Sequence, residues 1–354
     1  MSNLYFRNVI GQKDAAGHLQ NALRTGQQSH AYILCGEKGT GRRALAGAFA
    51  AALQCENRQD TDKGPEACGV CPSCMQAASD SHPDIVWLVG SRKSDGSETA
   101  LGVEDIRSMR ADVKIRPYSS AHKVYILQDA DKMTPQAQNA LLKTLEEPPE
   151  YAVVILLAEG SEGFLPTVVS RCVMLRLRPA AEKEICGYLT DTAGVTEQEA
   201  LFFSRVAHSN PGRALKLAGD PDYRRFLNQI LTWLHRPEEW DSFRIARFAE
   251  DAAAGRLCKE EGAGEYRTEE LIGLLQSWYR DILVYMSTGN TDTLIFQEEV
   301  QYIISAAGKL AYWQLQEIFR IMDVALRRRF TGGNEAQILE LMLLQIRNTQ
   351  KNRR

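Results

Sequence analysis

The sequence predicts a three-layer α/β domain built on a parallel sheet, followed by a region made of helices alone. Five apolar runs of strand length alternate with helical patterns between residues 31 and 177. A glycine-rich stretch joins the first run to an alanine-rich helix, and past Pro179 every pattern is helical. Strands that alternate with helices imply right-handed crossovers, and so parallel pairing with helices on both faces.

Composition sets the frame. With 354 residues, 44% hydrophobic and 25% charged, the chain has the make-up of an ordinary globular protein of two or three domains. A formal charge of -3 and a pI near 6.1 give no global sign of a nucleic-acid-binding surface, while leaving room for a local basic patch. Met1-Ser2-Asn3-Leu4-Tyr5-Phe6 runs straight into polar residues, unlike a signal peptide. No apolar stretch approaches the roughly 20 residues of a membrane helix. A cytoplasmic protein without membrane contact is expected.

In chain order, Asn8-Val9-Ile10-Gly11-Gln12 followed by Leu19, Leu23 and Arg24 reads as a turn and an amphipathic helix. Ser29-His30-Ala31-Tyr32-Ile33-Leu34 enters the first core strand, with His30 read as a hydrogen-bonded structural residue rather than a catalytic base. Residues 44–53 form an alanine-rich helix that suits close packing on a sheet. Asp84-Ile85-Val86-Trp87-Leu88-Val89 is a continuous apolar run of the sort buried on both faces. A polar loop from Ser91 to Thr99 follows, then Val103, Ile106, Met109 and Val113 at helical spacing. The third strand is Lys123-Val124-Tyr125-Ile126-Leu127-Gln128.

Thr134-Pro135 opens a helix with a hydroxyl cap and Pro at its first position, and that helix must stop before Pro148-Pro149. Glu146 and Glu147 crowd its end, where the helix dipole disfavours negative charge. Either that end is solvated or a neighbour supplies positive charge. The most apolar stretch, Ala152-Val153-Val154-Ile155-Leu156-Leu157, is the fourth strand, and Val173-Met174-Leu175-Arg176-Leu177 is the last. Beyond it, Ile185, Tyr188 and Leu189 begin a small helical unit, and Leu227, Ile230, Leu234, Leu271, Trp278 and Ile282 mark long amphipathic helices. The basic runs Arg327-Arg328-Arg329 and Lys351-Asn352-Arg353-Arg354 read as solvated charge.

Two stretches carry chemistry. The first is Cys35-Gly36-Glu37-Lys38-Gly39-Thr40-Gly41-Arg42-Arg43, set between strand and helix as a phosphate-binding loop is. Gly36, Gly39 and Gly41 let backbone N–H groups close around phosphate. A working loop then needs a Lys for the outer phosphates and a hydroxyl for Mg²⁺, where this chain has Arg42 and Arg43. A guanidinium cannot ligate a metal. Gln128 stands where an Asp would support Mg²⁺, with Asp129 after it, and a neutral amide is a poor partner for that ion. The scaffold of a nucleotide site is present and its hydrolytic chemistry is gone, while ATP or ADP could still bind passively. The second stretch holds Cys55, Cys68, Cys71 and Cys74, the overlapping short spacings of a closed, structural zinc knuckle. Free thiols or a redox pair are the alternatives. Cys35, Cys172, Cys186 and Cys258 read as small apolar side chains.

Taken together, these residues resemble the AAA+ clamp-loader family of bacterial DNA polymerase III, over essentially the whole chain. The resemblance rests on Ser29-His30-Ala31-Tyr32, the four-cysteine insertion, Leu141-Leu142-Lys143-Thr144-Leu145-Glu146-Glu147-Pro148-Pro149, Leu165-Pro166-Thr167 leading to Ser170-Arg171-Cys172, and Asn210-Pro211-Gly212-Arg213-Ala214-Leu215. It implies an AAA+ α/β domain over 1–178 with the zinc knuckle at 55–74, a helical lid over 179–219 and a helical collar over 220–354 that joins subunits. It also implies that Arg171 is an arginine finger given in trans to a neighbour's ATP site, unless it is a linker residue paired with a carboxylate. Arg213 matches the lid's nucleotide-sensing position or serves only in lid packing. The implied partners are the tau or gamma ATPase subunits, the delta subunit, the sliding clamp and primer-template DNA. The implied role is that of a non-hydrolysing subunit. Its rivals are an active tau or gamma type ATPase, a zinc-binding adaptor that kept only the fold, and an autonomous DNA-binding module.

Overall fold

Runs of Val, Ile and Leu that can bury both pleat faces become the strands of one five-stranded parallel sheet. The computed structural model describes residues 4–90, 99–258, 266, 268–330 and 332–352. Residues 91–98 of the loop expected from Ser91 to Thr99, the first three residues and Arg353-Arg354 lie outside the described residues. The strands are β1 (Ala31–Cys35), β4 (Ile85–Leu88), β5 (Lys123–Leu127), β6 (Ala152–Ala158) and β7 (Val173–Arg176), while β2 (Gln59–Thr61) and β3 (Gly64–Glu66) form a separate antiparallel hairpin. Their order across the sheet is β4-β5-β6-β1-β7, with Tyr32 opposite both Ile155 and Val173.

Alternate side chains feed two cores. Tyr32, Leu34, Ile126 and Ile155 join Leu19, Leu45 and Phe49 on one face. Ala31, Ile33, Tyr125 and Val154 join Ile106, Leu141, Leu145 and Val168 on the other. These helical residues come from α1 (Lys13–Thr25), α2 (Arg42–Gln54), α4 (Val103–Asp112), α5 (Pro135–Glu146) and the short α6 (Pro166–Val169), with α3 (Pro72–Ala78) lying in the cysteine insertion. Thr134 caps α5 as expected, its Oγ1 accepting from Ala137 N at 3.3 Å.

Two local expectations are corrected and one element appears that the sequence did not show. The run at 84–89 forms a strand only over 85–88, and all four of its residues are half-buried because it is a sheet edge paired on one side. The polar stretch before Cys68 folds as the hairpin, whose three-residue strands are too short to show a period, with Thr61 Oγ1 donating to Gly64 O at 2.8 Å across the turn. His30 Nε2 is buried with no hydrogen-bond partner among the described residues, although its backbone carbonyl accepts from Val154 N at 2.8 Å.

The chain forms two compact units, Met1–Tyr188 with Ser209–Arg213, and Leu189–His208 with Ala214–Arg354. Helices α7 (Glu182–Ala193), α8 (Glu197–Val206) and α9 (Pro211–Ala218) carry the chain from one to the other and back. The second unit continues with α10 (Pro221–Leu234), α11 (Ser242–Ala253), α12 (Thr268–Thr288), α13 (Val300–Ala307), α14 (Tyr312–Phe330) and α15 (Glu335–Lys351). Asp220, Asp241 and Asn334 cap α10, α11 and α15 through their side chains, satisfying first-turn N–H groups. Leu271, Leu275, Ile318, Met322, Leu339 and Leu343 are its buried stripe residues. Among the described residues no helix is long and apolar enough to cross a membrane.

Candidate nucleotide site and metal centre

Helix α2 begins where the glycine loop ends and stops where the cysteine cluster begins. In the loop, Gly39 and Gly41 have φ of +96° and +100°, which only glycine adopts without strain. Gly36 passes so close to Leu177 that a Cβ there would lie 2.9 Å from the Leu177 Cβ and 3.1 Å from its carbonyl. Three successive carbonyls are tied from outside the loop. Lys38 O accepts from Asn210 Nδ2 at 2.8 Å, Gly39 O from Gly212 N at 2.9 Å and Thr40 O from Gln12 Nε2 at 3.3 Å. Gln12 is further fixed by Arg178, donating to its carbonyl at 2.7 Å and accepting from its N–H at 3.1 Å. Because a peptide unit is planar and trans, drawing these carbonyls outward turns the N–H groups of Gly39 and Gly41 to the opposite side of the loop.

The two side chains that follow the loop make contacts of their own within the chain. Arg42 is 7% exposed, with Nη2 4.0 Å from Glu159 Oε1 and Nη1 buried without a hydrogen-bond partner among the described residues. Arg43 donates from Nη1 to Gln128 Oε1 at 2.9 Å and lies over the Trp87 ring, 4.2 Å from its centroid. Gln128 follows β5, its N–H bonded to Leu88 O at 2.9 Å. Asp129 takes a left-handed conformation with φ +48° and pairs with Lys132 Nζ at 3.4 Å. Arg213 enters α9 with its backbone N–H on Asn210 Oδ1 at 3.0 Å. Sequence reasoning grouped Gly36, Gly39, Gly41, Arg42, Arg43, Gln128, Asp129 and Arg213; among their side chains Arg43 meets Gln128 directly, while Asp129 pairs with Lys132 and Arg213 is placed through its backbone N–H on Asn210. It missed Gln12, Glu159 and Trp87, whose contacts cross the fold and leave no local signal; the turn-forming Asn210-Pro211 was the one visible hint of the Asn210 tie.

The four cysteines also converge. Cys55, Cys68, Cys71 and Cys74 place their sulfurs within 4.8 Å of one another, with Cys68 Sγ 3.9 Å from Cys74 Sγ. A tetrahedron of Zn–S bonds of about 2.3 Å has an edge of about 3.8 Å, so this donor set fits a zinc ion. The backbone supports thiolates: Cys68 N donates to Cys55 Sγ at 3.2 Å, Cys71 N to Cys68 Sγ at 3.4 Å and Cys74 N to Cys71 Sγ at 3.4 Å. The N–H groups of Val70 and Cys71 pull the Cys68 thiol down to about 6, while burial pushes Cys55 and Cys74 up. None of the eight cysteines is in a disulfide. The cluster is held to the end of α2 and to the loop before β4 through Ser73, whose Oγ donates to Gln54 O at 2.8 Å and contacts His82 Nε2 at 2.9 Å. Asp84, which is 1% exposed, accepts from His82's neighbouring loop at Tyr118, Ser119 and Ser120 N–H, at 2.7, 2.8 and 3.1 Å.

Residues 11–181 match a protein family described as DNA polymerase III, delta subunit. Over these residues, just under half of the chain, the sequence is similar to that family. Among curated clamp-loader relatives, the DNA polymerase III subunit tau of Bacillus subtilis is 34% identical over 182 residues, 51% of this chain and 30% of that protein. The subunit gamma of Buchnera aphidicola is 30% identical over 185 residues, 52% of this chain and 48% of that protein. The match thus spans less than half the length of either relative. A DNA polymerase III gamma subunit-related protein of Thermotoga maritima superposes with a TM-score of 0.44 at 17% identity, over 94% of this chain and 99% of that one.

Against that family background, Arg171 sits between α6 and β7 with its side chain 36% exposed. Its Nη2 meets Glu146 Oε1 at 2.9 Å, and its Nη1 donates to Thr167 O at 2.9 Å and Ser170 Oγ at 3.3 Å. The negative charge that crowds the end of α5 therefore does have a cation beside it, and this pairing with a carboxylate is the one the linker reading of Arg171 expected as well.

Proposed function

We propose that this chain is a non-hydrolysing, delta prime-like subunit of the bacterial replicative clamp loader, acting in the cytoplasm. In this reading it works as a stator: an AAA+ domain over 1–178, a lid over 179–219 and a collar over 220–354 fix it beside a neighbouring tau or gamma ATPase subunit. Arg171 is the finger it gives that neighbour in trans, and the delta subunit, the sliding clamp and primer-template DNA complete the assembly. Zinc held by Cys55, Cys68, Cys71 and Cys74 is structural.

The observation that carries the reading is Arg43 on Gln128, 2.9 Å apart, where a hydroxyl and a carboxylate would hold Mg²⁺ in an ATPase. With Arg42 drawn toward Glu159 as well, both positive side chains are engaged by this chain's own groups. ATP or ADP then has only the loop's backbone to bind. The rival is an active tau or gamma type ATPase, favoured by the names of the relatives and by the intact glycine geometry.

The deciding measurement is clamp- and DNA-stimulated ATP hydrolysis by the reconstituted complex, comparing wild type with Arg171→Ala in this subunit, with the isolated chain alongside. A loss of ~10³-fold at the site beside this subunit, with a silent isolated chain, is the expected result. An unchanged rate rejects the finger, and turnover by the isolated chain returns the assignment to an active ATPase.

A further inference from the structure

Resting on the reading of Arg171 as a finger, we propose that Glu146 is its positioning residue. Arginine has five N–H donors in a planar fork on a long, flexible stem, so an exposed finger would ordinarily sweep many rotamers. Here the fork is braced from two elements. Glu146 is the last residue of α5 and meets Nη2 at 2.9 Å. Thr167 O and Ser170 Oγ, from α6 and its cap, take Nη1 at 2.9 and 3.3 Å. The negative end of the α5 dipole favours a cation in the same place.

The contact has little value as a stabiliser of the fold. Its two side chains are 36% and 48% exposed, and pairs so open to water add little to stability. Its effect is directional instead: it orders the guanidinium before any neighbour is met, which lowers the entropy cost of engaging a developing phosphoryl charge. It also resolves the two glutamates before Pro148-Pro149, since Glu146 stands there as one arm of the brace.

The test uses the reconstituted complex with clamp and primed DNA and follows ATP hydrolysis for Glu146→Ala, Glu146→Gln, Arg171→Ala and the Arg171→Ala, Glu146→Ala double variant. Ordering one long side chain corresponds to about a 2- to 10-fold effect, expected as a fall in kcat for Glu146→Ala with KM for ATP unchanged. Glu146→Gln keeps the acceptor oxygen and recovers most of the rate. In the Arg171→Ala background, removing Glu146 costs nothing further, because there is no longer a finger to orient. A thermal melt of each single chain checks that folding is intact. An unchanged or raised kcat for Glu146→Ala, or the same loss with Arg171 already absent, overturns the proposal while leaving the finger standing. An unchanged rate for Arg171→Ala instead brings down the finger reading and this proposal with it.

Discussion

Helix α2 has a site at each end, and the two are built from different materials. At its N-terminus the glycine loop is a backbone site: its shape comes from Gly39 and Gly41 in left-handed conformations and from carbonyls tied to Asn210, Gly212 and Gln12. At its C-terminus the cysteine cluster is a side-chain site, four sulfurs within 4.8 Å of one another. In the first, the glycines are followed by Arg42 and Arg43, which meet Glu159 and Gln128. In the second, every donor is in place. A backbone site can lose its chemistry without losing its shape, because shape and chemistry rest on different atoms; a side-chain site has no such separation.

The sharpest way to break this contrast is at the cysteines. Cys74→Ser removes a fully buried donor and should release the metal, taking the protein from about one zinc per chain to none and lowering unfolding stability by about 3–5 kcal/mol. Metal analysis beside a urea titration reads both. A chain purified under reducing conditions without zinc, and as stable as the serine variant, would make the cluster a group of packed thiols and erase the difference between the two ends of α2.

The next largest effect belongs to the loop. Asn210 is buried, and Asn210→Ala strips Lys38 O of its donor and the first turn of α9 of its cap at Arg213 N. A loss of about 1–3 kcal/mol is expected, with faster amide exchange across residues 36–41. Unchanged exchange would mean that the glycines alone hold the loop, and that the ties from Gln12 and residues 209–213 are incidental.

How much of this was legible beforehand follows from the same division. The sheet could be read because β1, β5 and β6 are fully buried and so must be continuous apolar runs. β4 has an equally apolar sequence, yet it lies at the edge and is half-buried, since strand position is set by pairing that no single run encodes. The cysteines announced themselves through spacing. The glycine loop announced its form, but not what fills it: Glu159 beside Arg42 and Trp87 beneath Arg43 are ordinary residues distant in sequence. The hairpin at Gln59–Thr61 and Gly64–Glu66 was hidden by its brevity, although Glu66 secures the start of the chain by accepting from Phe6 and Arg7 N–H at 3.0 and 3.1 Å.

The finest test is whether chemistry can be put back on the surviving backbone. Arg42→Lys, Arg43→Thr and Gln128→Asp together would restore a compact cation for phosphate, a hydroxyl for Mg²⁺ and a carboxylate to support it. They also remove the Arg43–Gln128 hydrogen bond and the guanidinium over Trp87. If the loop is a nucleotide cradle that lost only its side chains, Mg-ATP at ten times its Kd should stabilise the triple variant by about 1.4 kcal/mol and leave wild type nearly unmoved, read as a shift in melting temperature. Hydrolysis need not return, because Glu159 still stands beside position 42 and nothing has been added to orient water. A triple variant that is folded yet insensitive to nucleotide would show that the carbonyl ties have set the loop in a form too rigid or too narrow for phosphate. The backbone would then have changed along with the side chains, and the two ends of α2 would differ in kind of damage rather than in kind of site.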